Sequence, residues 1–150
     1  MITRKAIIEI ISALLALVFA YTAVSKLIDF AHFKITLSKS PFLSPFANVI
    51  AFSLPPAEIM TAVALSTKKF RLHALYFSFL LMSSFTSYIY AMLYYGSDLP
   101  CSCGSVLAGM SWPVHLVFNI LLTLLTALAI ILFEKENKLY CAITGRQPNT

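Results

Sequence analysis

Four uninterrupted apolar runs, at about residues 6–27, 47–66, 72–95 and 113–133, constrain this chain more than anything else in it. At ~1.5 Å per helical residue, each is long enough to cross a hydrocarbon core of ~30 Å. The runs are continuous rather than alternating, which does not suit the strands of a membrane β-barrel. Inside lipid, each segment must satisfy its own backbone hydrogen bonds, so each is expected to be a helix. With 59% hydrophobic and 11% charged residues, the 150-residue chain has too little polar surface to cover a soluble globule. The expected architecture is all-α: an integral membrane four-helix bundle, in one domain spanning residues 1–150, with lipid as its surroundings. No internal repeat, low-complexity tract or interdomain linker interrupts it.

Charge orients the bundle. Arg4 and Lys5 precede the first run, Lys68, Lys69 and Arg71 fill the second connection, and Lys135, Lys138 and Arg146 follow the fourth. These are eight of the eleven basic residues, and the positive-inside rule makes both termini cytoplasmic. Lys26, Lys34 and Lys39 fall in the first outer connection, and the connection before the fourth run has no Lys or Arg. The expected location is a bacterial inner membrane with that last connection facing the periplasm. Topology thus accounts for the net charge of +5, and no nucleic-acid partner is called for. Val18 and Ala20 sit where a signal-peptide cleavage site would want small residues, but the run continues to Leu27, longer than a usual signal core. An uncleaved first helix is expected.

The outward connection contains Pro100-Cys101-Ser102-Cys103-Gly104. Two thiols separated by one residue can interconvert between dithiol and disulfide, and Gly104 gives the backbone freedom to bring them together. So small a ring is strained, and strain favours electron exchange over permanent stapling. The competing reading, two cysteines packed as small hydrophobes, fits the Pro-Cys-x-Cys-Gly context less well. The periplasm is oxidising, whereas Cys141 in the basic tail faces a reducing cytosol and is left out of the site.

Polar groups at membrane depth are costly unless paired or facing a polar cavity. Glu58 is the only acidic residue in the interior of any run, and it follows Leu54-Pro55-Pro56, a double proline expected to bend or break the helix. Lys26 ends the first run; Asn119 lies two turns into the fourth, with His115 one turn before it on the same face. These residues can converge beneath the cysteines. Against that stand a neutral interhelical carboxyl for Glu58, interhelical glue for Asn119 and snorkelling to the interface for Lys26. Glu9 lies near the inner boundary, where water can solvate it. The third run carries Tyr76, Phe77, Phe79, Phe85, Tyr88 and Tyr90. Those rings would serve packing and lipid contact first; a slot for a flat membrane quinone is the one cofactor option, and the cofactor is otherwise unassigned. Leu27, Phe30, Phe33 and Leu37 repeat at helical intervals, so the first connection is expected to form a short amphipathic helix ending at Ser40-Pro41 that shelters the cysteines.

Ser25-Lys26-Leu27, Pro55-Pro56-Ala57-Glu58, Pro100-Cys101-Ser102-Cys103-Gly104 and His115-Leu116-Val117-Phe118-Asn119, taken together, resemble the methylamine-utilisation family MauE, within the wider DoxX-like group. The resemblance covers nearly the whole chain. It implies a four-helix membrane protein associated with maturation of exported, disulfide-containing proteins, often beside a thioredoxin-like partner. Ser105 departs from the pattern, since a second glycine or a Phe-Gly pair often follows the cysteines. The expected function is a membrane thiol–disulfide relay and hence a possible oxidoreductase: Cys101 and Cys103 carry the exchange, Lys26 and Glu58 assist it, and Gly104, Asn119 and His115 support it. The alternative is a non-enzymatic assembly factor or a subunit handling a soft ion such as Cu(I), for which only His115 is an obvious third ligand. No metal site is assigned.

Overall fold

The computed structural model describes residues 4–40, 43–95 and 112–144, and every regular element among them is helical. The helices are α1 (Arg4–Ile28), α2 (Phe30–Lys39), α3 (Ala47–Ser66), α4 (Arg71–Tyr95) and α5 (Trp112–Thr144), with a 3-10 turn at Ser44–Phe46. All but α2 are long and apolar enough to cross a membrane.

The long helices form a closed ring in the order α1, α3, α4, α5. α1 buries Ile8, Ile11, Ser12, Leu15, Phe19 and Ala23, a stripe at three- and four-residue spacing, while Leu17, Tyr21 and Val24 point outward. Leu15 and Phe19 meet Leu65 of α3, Leu75 and Met82 of α4, and Leu122 and Ala129 of α5 in one core. Outward-facing Leu17, Phe52, Met60, Leu80 and Leu124 are all more than 60% exposed, an apolar belt suited to lipid rather than to water. Two ion pairs identify which helix termini share one end of the bundle. Lys5 near the start of α1 faces Glu136 late in α5 at 3.6 Å, and Arg71 opening α4 faces Glu9 of α1 at 3.8 Å. The end of α1, the start of α3, the end of α4 and the start of α5 therefore share the opposite end of the bundle.

α2 is a bent continuation of α1. Asp29 leaves helical geometry at φ −113° and ψ 50°, yet its N–H still donates to the Ser25 carbonyl at 3.2 Å and its carbonyl accepts from Phe33 N–H at 3.0 Å. The bend lets Leu37 pack on Ala47 and Ala51 of α3, with Phe30, Phe33 and Ile50 around them. α2 stops at Ser40, which is extended at ψ 129° because the following Pro41 excludes the helical region for the residue before it.

Three features differ from the sequence reading. α3 runs through Pro55 and Pro56 without breaking; the prolines remove donors to the Ala51 and Phe52 carbonyls, but the flanking turns keep the helix continuous. Leu27 is 49% exposed, so only Phe30, Phe33 and Leu37 of its proposed stripe pack inward. α5 continues well past the expected end at residue 133, so Lys135, Lys138 and half-buried Cys141 of the basic tail lie on the same helix.

Candidate functional site

Lys26 lies in the last turn of α1, just before the bend into α2, which packs beside α3. Its side chain turns inward. The ammonium donates to Glu58 Oε1 at 2.7 Å, a charge-assisted contact in which the lysine side chain is 14% exposed and the glutamate 1%. Snorkelling is therefore not its role, and Glu58 is directly paired without a bridging Asn119. The ammonium also lies 5.8 Å from the ring centroids of both Phe33 and Phe85, within cation–π range. Electron-rich faces from α2 and α4 thus replace part of the water the lysine has given up.

The second carboxylate oxygen differs. Glu58 Oε2 is buried and has no hydrogen-bond partner among the described residues. Thr22 borders the carboxylate, but its hydroxyl donates to the Phe19 carbonyl at 3.1 Å. An unsatisfied buried acceptor costs about 1–3 kcal/mol.

α5 closes the fourth side. His115 is half-buried and within electrostatic reach of Lys26. Asn119 is buried, and its amide nitrogen donates back to the His115 carbonyl at 3.0 Å, so this bond stiffens α5 rather than bridging two helices. One turn on, the Thr123 hydroxyl donates to the Asn119 carbonyl at 2.8 Å and faces the Thr86 hydroxyl of α4 at 3.5 Å. Nearby, Tyr88 donates to the Ser40 hydroxyl at 3.0 Å, and Ser40 lies 3.9 Å from the Met92 sulfur, tying the end of α2 to α4.

The structure thus joins Lys26 to Glu58 and brings His115 near them, with Asn119 one turn below on α5. Cys101, Cys103 and Gly104 lie outside the described residues. Phe33 and Phe85 were legible only as parts of apolar patterns; the signal that singles them out is a lysine without water at their depth. Tyr76, Phe77, Phe79 and Tyr90 point largely outward, Phe85 packs against the core, and Tyr88 serves Ser40. Among the described residues, no group of three His, Cys, Asp or Glu side chains is arranged to hold a metal.

Four membrane-length helices around a buried, paired lysine and glutamate define an all-helical integral membrane protein with a polar centre near one end. The family model for the methylamine utilisation protein MauE matches residues 4–132, and the chain belongs to that family. Comparison with curated proteins and with solved structures gave no match.

Proposed function

We propose that this protein is a membrane thiol–disulfide relay in which Cys101 and Cys103 exchange with an exported disulfide-containing protein or a thioredoxin-fold partner. A thiolate of one protein attacks the disulfide of the other, a mixed disulfide forms, and the second thiol of the attacking pair releases it. When the partner is oxidised, its two thiols give up two electrons and two protons as its disulfide forms, and the Cys101–Cys103 bond opens to two thiols. The reverse exchange reduces the partner. A membrane carrier of the quinone class resets the pair by taking or supplying the same two electrons and two protons.

The observation that carries this reading is the buried Lys26–Glu58 pair, set into the bundle on the side of the end where α4 stops and α5 begins, the two helices between which the sequence has Cys-Ser-Cys-Gly. An ion pair held at membrane depth is expensive and marks a functional centre. Glu58 Oε2, buried and unpartnered, suits a transient proton acceptor during exchange. Lys26 is committed to Glu58, so its net field is small; thiolate formation at the pair falls to the positive N-terminal end of α5. His115 and Asn119 shape that end, and Gly104 is the residue next to the cysteines with the fewest backbone restrictions. In this reading the protein belongs to the DoxX-like group and sits in a bacterial inner membrane, with both termini cytoplasmic and the cysteines periplasmic. The family's description, methylamine utilisation, supplies one process in which an exported protein would need such maturation.

The test is capture. With either Cys101 or Cys103 replaced by Ser, the remaining thiol should hold a partner as a reducible mixed disulfide, and the double Cys→Ser protein should capture nothing. A fully active double variant would refute the relay and leave a non-enzymatic assembly factor.

A further inference from the structure

The opposite end of the bundle contains a cleft of about 430 Å³ between the start of α1, the α3–α4 turn and the last turns of α5. Its polar wall consists of Lys5, Lys68 and Arg71 against Glu9 and Glu136, a formal balance of three positive charges and two negative. The two ion pairs are loose. Lys5–Glu136 and Arg71–Glu9 stand at 3.6 and 3.8 Å, beyond good hydrogen-bond length. Arg71 is nevertheless held in place, because its Nε donates to the Leu65 carbonyl at 3.3 Å at the end of α3 and its side chain is only 14% exposed. That leaves guanidinium donors uncommitted. Lys68 lines the same cleft with no ion pair or hydrogen bond among the described residues. The remaining wall includes apolar Ile8, Phe133 and Ile143.

We propose that this cleft binds the headgroup of an anionic glycerophospholipid, with the phosphodiester between Arg71 and Lys68 and the chains leaving along the apolar wall. One phosphodiester carries one negative charge and neutralises the excess cation of the lining. Arginine presents a fork of donors that matches phosphate oxygens, and basic clefts between membrane helices are suited to such headgroups. Glu9 and Glu136 repel the anion, so the site prefers a headgroup small enough to stay beside Arg71 and Lys68. The family match ends at residue 132, and the α5 side of the cleft lies beyond it.

Native mass spectrometry of the full-length protein, offered phosphatidylglycerol, phosphatidylcholine or inorganic phosphate, tests this directly. One phosphatidylglycerol should be retained in preference to phosphatidylcholine, and millimolar inorganic phosphate should not displace it. Lys68→Glu should weaken retention by at least about fivefold, the loss expected for one interfacial cation. Lys69→Glu makes the same charge change outside the cleft lining and should have little effect. Both lysines are exposed, so neither variant threatens folding. Equal retention of phosphatidylcholine, displacement by free phosphate, or equal losses in the two variants would overturn the proposal.

Discussion

At the scale of single residues, the structure turns on one interaction, the 2.7 Å contact between Lys26 and Glu58. Removing either partner strands a charge in a dry interior at a cost of about 3–5 kcal/mol, whereas removing both relieves that penalty. Lys26→Met and Glu58→Gln should therefore each lower unfolding stability in detergent, and the double variant should lose clearly less than the sum. Strict additivity would mean that the pair is not coupled. The sequence made Lys26 and Glu58 stand out, because a charge within an apolar run is legible anywhere. It did not reveal the direction in which Lys26 points. Its outward and inward rotamers differ by what surrounds them, and those surroundings come from two other helices, Phe33 just past the bend into α2 and Phe85 far along the chain on α4.

Among the elements, α2 brings the Phe33 ring to Lys26. Its packing on α3 rests on Leu37, which is 6% exposed against Ala47 and Ala51. Leu37→Ala should cost about 2–5 kcal/mol locally and raise hydrogen exchange across residues 30–39 and around Glu58, with α4 and α5 little changed. Uniform protection loss across all helices would instead make α2 part of a single cooperative unit. The amphipathic spacing of Phe30, Phe33 and Leu37 and the Ser40-Pro41 stop made this helix readable in advance. The end of α5 was not readable, because hydropathy stops at Phe133 while the helix does not. Glu134, Lys135, Glu136 and Lys138 are good helix formers, and Glu134 and Lys138 have the spacing of a favourable surface pair. A membrane boundary ends an apolar run without ending a helix.

For the molecule as a whole, the charge asymmetry and the relay proposal meet in the sidedness of the cysteines. In whole cells, a membrane-impermeant maleimide should leave Cys141 unlabelled until the cells are opened, and should reach Cys101 and Cys103 from outside once they are reduced. Labelling of Cys141 from outside would invert the topology. The overall bundle was legible from four apolar runs, because length and hydropathy alone fix how many helices cross a bilayer. The ring order was not, since it depends on which small and large side chains interlock. The most direct test of the central claim is a redox titration of the Cys101–Cys103 pair in native membranes, equilibrated in thiol–disulfide buffers and then alkylated. Mass analysis should show the pair passing reversibly between no label and two labels as the buffer becomes reducing. Two labels at every poise, or a disulfide that never opens, would contradict the relay.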